Sequence, residues 1–410
     1  MYQAISGQLE QFPQDTSRFV NVFQNRNPIL AVGEDRPLEG ELHSAQYFHG
    51  RDGLGDITQR HPDLNVEDER PSQHPQLELS SKSGVEVALD LIKSEPARTI
   101  SYIALGPLTN LAKMLLLDTE AVRNRIGRVI CMGGALDVPG NTSPLAEFNF
   151  FADPFAVKEL LTPTEPGQGL PFDRFLLLPL DITTPHELSF PYYKEVVDPA
   201  FESTASPSRP EGKPPLVHFT SSFLERTREV MVELGKDAME LHDIAAVWCA
   251  IENPPVKEQD QDPTALPILR QGWTAARRKF EVERTGELTR GMLVVDRRDD
   301  VGAYAPGANR AAVQAELERH HFPHAGAYYE STAVPAQVEI ETAPAFKGTN
   351  QGQVLSDAIP STSTIASTYT PPDGQMHGIA VASGVPCITR TPGPAALVAL
   401  LLERVWGVRP

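Results

Sequence analysis

The chain has 410 residues, 40% of them hydrophobic, enough to bury a sizeable interior around a single α/β core. Its 54 acidic residues outnumber 36 basic ones and leave a net charge of −18, which repels phosphate backbones and anionic membrane surfaces and argues against nucleic acid or membrane partners. The start of the chain lacks the basic-then-apolar pattern of a signal peptide, no apolar run reaches membrane-spanning length, and Cys131, Cys249 and Cys387 show neither a paired framework nor a zinc spacing, so a cytoplasmic, reducing setting is expected.

In chain order, the apolar, β-branched run at 28–32 predicts a first strand, and Phe48-His49-Gly50-Arg51-Asp52-Gly53-Leu54-Gly55 a glycine-rich loop. Helical periodicity covers 85–94, a strand 99–105, and a second helix 108–117, with Gly106 at the junction. The run 128–132 reads as a buried strand that stops at Gly133-Gly134, where the missing side chains let the backbone approach a ligand. Asp153-Pro154 opens a helix over 153–161, an oxygen to cap it and proline in its first turn; capping fully explains Asp153. A strand at 175–180 leads into Asp181, a helix spans 219–234, and the Pro/Gly/Ser-rich stretches 162–169 and 204–215 read as surface loops.

From 301 to 372 the periodicity fades into Ala, Pro, Ser, Thr and Gln, as in an insertion or linker, and a strand at 377–385 and an amphipathic helix at 395–406 follow. The alternation predicts an α/β fold with an open, mostly parallel sheet and helices on both faces. Its domains would be a core over 1–300, the low-complexity segment 301–372, and a strand and helix within 373–410 that return to the core. Ligands in such sheets bind beyond the carboxyl ends of the strands.

The stretch Gly140-Asn141-Thr142-Ser143-Pro144-Leu145-Ala146-Glu147-Phe148-Asn149 packs two carboxamides and a carboxylate into a turn followed by what reads as an extended run. Residues two apart in such a run share a face, so Glu147 and Asn149 are expected to point one way and Phe148 into the core, with Asn141 reaching the same hollow from the turn. Carboxylates accept and carboxamides both donate and accept, so the trio can satisfy several vicinal hydroxyls, as on a ribose.

This segment resembles the Asn, five residues, Glu, one residue, Asn signature of the inosine-uridine preferring nucleoside hydrolases. Other stretches resemble that family in the family's own order: the loop at 48–55, Ala104-Leu105-Gly106-Pro107-Leu108-Thr109-Asn110-Leu111-Ala112, Leu180-Asp181-Ile182-Thr183, Leu241-His242-Asp243-Ile244-Ala245-Ala246-Val247 and Gly286-Glu287-Leu288-Thr289-Arg290-Gly291-Met292. The resemblance implies the nucleoside hydrolase fold and hydrolysis of the N-glycosidic bond of purine or pyrimidine ribonucleosides to ribose and free base, through an oxocarbenium-like state. It implies calcium as cofactor, with Asp243 and the Leu105 carbonyl as ligands. Asn141, Glu147 and Asn149 would hold ribose hydroxyls with the Met132 backbone close by, His242 would protonate or steer the leaving base, and His49 would line the mouth. Dimers or tetramers are the family's common assemblies.

The sequence departs from the family at its start. The Asp-x-Asp-x-Gly-x-Asp-Asp cluster that supplies calcium ligands and the general base is absent, and 19–38 already resembles a later helix and strand. An N-terminally truncated fold is expected, lacking roughly two strand-helix units of about 30 residues each. The alternative function is therefore an inactive relative or a truncated gene product; Asp15, Asp35, Asp52 and Asp56 lack the spacing to replace the cluster. Blander readings also stand: Asp243 as a helix cap, His49 as a loop residue, and His320, His321 and His324 as members of an irregular segment matching no zinc pattern. A metal-phosphohydrolase reading of His242-Asp243 lacks the partner residues it needs.

Overall fold

The computed structural model describes residues 1–20, 22, 27–65, 77–165, 167–256, 265–295 and 384–409. The chain divides into two units, Met1–Val295 with Val381–Pro410 and Asp296–Ala380, and the described residues all belong to the first. The segment expected at 301–372, its histidines, and 377–383 of the expected last strand lie outside the described residues.

The chain opens with α1 (Tyr2–Gln11), the strand β1 (Ile29–Leu30), the short helices α2 (Gln46–His49) and α3 (Ile57–Arg60), and β2 (Glu78–Leu79), which pairs parallel to β1. Regular alternation follows: α4 (Gly84–Ser94), β3 (Ile100–Ala104), α5 (Thr109–Leu117), α6 (Thr119–Arg125), β4 (Ile126–Met132), α7 (Phe148–Ala152), α8 (Pro154–Leu161) and β5 (Phe175–Leu178). Next come α9 (Leu180–Thr183), β6 (Glu187–Ser189), α10 (Phe190–Val196), α11 (Pro215–Glu233), β7 (Ala238–Glu240) and α12 (His242–Glu252). β8 (Thr274–Arg278), β9 (Phe280–Val282), β10 (Leu293–Val295), β11 (Val385–Arg390) and α13 (Pro394–Leu401) complete the order.

The main sheet runs β3-β4-β5-β11-β8, parallel except for the antiparallel β11–β8 edge. Its two faces are visible in the alternation of β4 and β5. Val129, Cys131, Phe175 and Leu177 pack with α4, α5, α6 and α8 on one side, while Ile130, Met132, Leu176 and Leu178 pack with α10, α11, α12 and α13 on the other. Both sides are buried, which is why these strands read as continuous apolar runs; each such side chain contributes about 1.5–3 kcal/mol by leaving water. The fold class expected from the sequence, an open and mostly parallel α/β sheet with helices on both faces, is the one observed.

Some element boundaries differ from expectation. The predicted strand at 28–32 reduces to Ile29–Leu30, paired only with β2 and left with Leu30 57% and Val32 78% exposed, because among the described residues no helix covers it. The strand expected to reach residue 180 ends at Leu178, since Pro179 has no N–H and the chain turns into α9. Past the described end of the stretch expected at 377–385, a strand runs over Val385–Arg390; Pro386 argues against a strand interior in sequence, yet it pairs with Arg277 in register. As expected, Asp153 caps α8 through the Ala156 N–H, and its other oxygen accepts from Thr109 Oγ1 and the Leu38 N–H.

Candidate active site

A cavity of about 390 Å³ opens beyond the carboxyl ends of β3 and β4. It is lined by Leu105, directly after β3, by Met132 at the end of β4, by Asn141, Glu147 and Asn149, by His49 at the end of α2, and by His242 and Asp243 at the start of α12. Each residue that the resemblance assigns to the site thus borders one hollow of a size that holds a small-molecule ligand.

The wall around Glu147 is built from the backbone. Glu147 does not lie in an extended run; it is the N-cap of α7, with Oε1 accepting the Asn149 N–H at 2.9 Å and Oε2 the Phe150 N–H at 3.1 Å and the Gly134 N–H at 2.9 Å. The helical turn reverses the expected packing. Phe150, fully buried, enters the core, whereas Phe148 lines the cavity. A side chain at Gly133 would meet the Phe150 ring at 2.6 Å, and Gly134 has φ +79, so the glycine pair is what lets Phe150 and Glu147 pack beneath the strand end. Burial pushes the Glu147 carboxyl up, and the three N–H donors and nearby His242 pull it back.

Asn149 is 7% exposed and donates through Nδ2 to the Met132 carbonyl at 3.1 Å, while its Oδ1 has no hydrogen-bond partner among the described residues. Asn141, on the exposed turn, accepts the Phe148 N–H at 2.9 Å.

The opposite wall carries the charge. His242 is held at both ring nitrogens, Nδ1 against Thr183 Oγ1 at 2.8 Å and Nε2 against Glu240 Oε2 at 3.0 Å. The His242 contact, assisted by Lys236, holds the Glu240 carboxyl at about 2 despite partial burial. Asp243 is not a cap: α12 has no side-chain cap, and among the described residues no hydrogen bond occupies the Asp243 carboxylate. It opens onto the cavity, yet the surrounding protein raises its carboxyl by desolvation, with the charge of His242 opposing.

Thr183, Lys236 and Glu240 were not singled out in the sequence. Thr183 stood in the weakly matching Leu180-Asp181-Ile182-Thr183 stretch, and Glu240 lies two residues before His242, a spacing that in β7 carried no recognisable signal. The rest of the lining is apolar and aromatic, chiefly Tyr47, Phe48, Phe148, Met231, Leu234 and Met239.

The donors available for calcium are few. A calcium ion takes six to eight oxygens, and the described cavity offers the Asp243 carboxylate, the Leu105 carbonyl and Asn149 Oδ1, because both Glu147 oxygens already receive backbone N–H groups. Asp52 cannot add to them. Slight burial pushes it up, but hydrogen bonds from Thr58, Leu54 and Asp56 outweigh that and hold it at about 2 within its own loop, where Asp56 likewise accepts from Arg51. Asp15 is taken by Gln8 and Arg18. The described donors do not by themselves fit the ion.

Comparisons with known proteins agree with one another. The family model described as inosine-uridine preferring nucleoside hydrolase matches residues 7–323. The inosine-uridine preferring nucleoside hydrolase of Leishmania major is 27% identical over 269 residues, 66% of this chain and 69% of that protein. The pyrimidine-specific ribonucleoside hydrolase RihA of Shewanella sp. (strain ANA-3) is 29% identical over 300 residues, 73% of this chain and 76% of its own. The probable uridine nucleosidase 2 of Arabidopsis thaliana is 38% identical over 122 residues, 30% of this chain and only 33% of that protein.

Proposed function

The chain belongs to the inosine-uridine preferring nucleoside hydrolase family, and from that premise we propose that the cavity between Glu147 and Asp243 is where a ribonucleoside is bound and split. The family's reaction is hydrolysis of the N-glycosidic bond of ribonucleosides, an N-glycosyl hydrolase activity. The observation that carries the site reading is the convergence of two free acceptors, the Asp243 carboxylate and Asn149 Oδ1, with a doubly held imidazole in one largely apolar hollow.

In this reading Asn141, Asn149 and Asp243 take the ribose hydroxyls, and Glu147 shapes the floor. The flat base lies against Phe148, Tyr47 and Met239. As the bond between C1′ and the base nitrogen breaks, positive charge grows on the ring, and the carboxylates of Asp243 and Glu240 face it in a partly desolvated hollow, where such charges act strongly. His242 Nε2–H, turning from Glu240, passes its proton to the departing nitrogen, and water adds its oxygen to C1′ and gives up a proton that restores the imidazole. Inosine and uridine, for which the Leishmania relative is named, are the substrates to try first. Three buried, unpaired cysteines support a reducing, cytoplasmic setting; burial drives the Cys249 and Cys387 thiols up to about 12 and Cys131 well above its usual value, so they are inert. Among the described residues no helix is long and apolar enough to cross a membrane.

A second reading, a family member without turnover, is favoured by one observation, three donor groups among the described residues where calcium needs at least six oxygens. Reducing-sugar release from inosine and uridine, with and without calcium, separates the two. Turnover that Asp243→Asn removes supports the first reading; a flat trace at high enzyme concentration, together with no calcium binding by calorimetry, supports the second.

A further inference from the structure

Near the start of α11, away from the cavity-lining Met231 in its last turn, His61, Asp63 and His218 bring two imidazoles and a carboxylate together, with one ligating atom of each lying within 4.8 Å of the others. His61 and His218 are buried, and their rings meet edge-on at 5.6 Å between centroids. We propose that these three side chains form a binding site for a transition metal ion of the zinc class, clipping the segment after α3 to α11.

The hydrogen bonds supply an argument independent of the grouping. His61 is 2% exposed, and its Nε2 faces Glu225 Oε2 at 3.1 Å. Glu225 is itself fixed, Oε2 by Arg60 at 2.8 Å and Oε1 by the Ser208 N–H. Arg60 Nη1 also lies 3.3 Å from His61 Nε2, but its better acceptor is the carboxylate, which leaves Nε2–H as the donor to Glu225. A neutral imidazole that donates from Nε2 keeps a lone pair on Nδ1. Among the described residues no hydrogen bond reaches that Nδ1, which leaves its lone pair open to a ligand.

His218 is oriented in the same manner. Its Nδ1 meets Ser208 Oγ at 3.0 Å, Ser208 Oγ accepts from Lys213 at 3.0 Å, and Nε2 meets Asp63 Oδ2 at 2.8 Å. Each imidazole therefore has an oxygen partner behind it, the arrangement by which metal-binding histidines are usually aimed.

Two imidazoles with one carboxylate suit zinc or cobalt better than calcium, which wants oxygens only, and a fourth position is left for water. Zinc bonds of about 2.1 Å place tetrahedral ligands roughly 3.4 Å apart, so Asp63 Oδ2, now 2.8 Å from His218 Nε2, must draw back by roughly half an ångström to admit the ion. Asp63, whose side chain is 45% exposed on a 3-10 turn, can supply that movement.

The experiment uses the full chain, stripped with chelator and titrated with zinc by calorimetry and with cobalt by visible absorption. One equivalent per chain, a tetrahedral cobalt spectrum, a higher melting temperature with zinc, and at least about tenfold weaker binding in His218→Gln and in Asp63→Asn are expected. Asp63→Asn keeps the test decisive if His218→Gln folds poorly, because Asp63 is the exposed member. No saturable binding, binding unchanged in Asp63→Asn, or binding lost in Asp243→Asn but kept in Asp63→Asn would overturn the proposal. Nucleoside hydrolysis is not involved, so either result leaves the active-site reading where it stood.

Discussion

Glu147 and Asp243 face one cavity from opposite walls, and they are used in opposite ways. Glu147 is 2% exposed and accepts three backbone N–H groups, so its carboxylate holds the end of β4 to the start of α7. Asp243 accepts none among the described residues and sits on a helix whose first turn needs nothing from it. The first acidic residue is committed to making the pocket, and the second is left over for whatever enters it. A sequence motif cannot tell these apart, since both are acids beside amides or imidazoles.

That contrast can be broken most forcefully at Glu147. Glu147→Ala strands three N–H groups, two of them on α7, and should lower unfolding free energy by on the order of 4 kcal/mol, as read by urea denaturation. Glu147→Gln, which keeps one carbonyl acceptor, should recover part of that loss. If Glu147→Ala melts like the parent, the structural role assigned to it is wrong.

Asp243→Asn should do the reverse. Nucleoside turnover is expected to fall at least about 100-fold, about 2.7 kcal/mol of transition-state stabilisation, with no loss of stability. The sign follows from desolvation. A carboxyl raised above its unfolded value is disfavoured in its ionised form by folding, so replacing it with a neutral amide holds or raises stability at neutral pH. A large drop in melting temperature would erase the contrast with Glu147.

Thr183→Val tests the imidazole between the walls. Removing the partner of His242 Nδ1 leaves Glu240 as its sole anchor, and kcat/KM should fall by about tenfold, or about 1.4 kcal/mol, with substrate affinity little changed. The smallest effect is on the pH dependence of stability. Glu240, held at about 2 against an ordinary 4.5, contributes stability that is complete above pH 4.5 and fades as the pH falls toward 2, and Glu240→Gln, which removes that contribution, should lower stability near pH 7 and flatten that part of an acid-denaturation curve.

The interior of the fold was readable from sequence because β3, β4 and β5 are covered on both faces and their apolar runs are unbroken. β11 was harder. Pro386 interrupts its pattern, and only pairing with β8 and β5 reveals that a strand runs through it. In the site, the residues of the 140–149 stretch were recognisable as a group, but not their conformation: glutamate is an uncommon helix cap, so Glu147-Phe148-Asn149 read as extended and Phe148 was assigned to the core that Phe150 occupies. Thr183 was out of reach for another reason, since it meets His242 across 59 residues of chain and only the folded packing of α9 against α12 joins them. The same is true of Asp63 and His218, which are 155 residues apart.

The position of β11 bears on how the polypeptide is made. Synthesis proceeds from the amino end, yet β11 lies between β5 and β8, and among the described residues nothing else bridges the two flanking strands. Until residue 390 has left the ribosome, β5 and β8 are unpaired edges that expose ladder groups to any extended segment nearby. A chain stopped at residue 384 would therefore be an aggregation hazard and not a shorter version of the same protein, and a fusion partner placed at the carboxyl end would sit beside the last piece to lock.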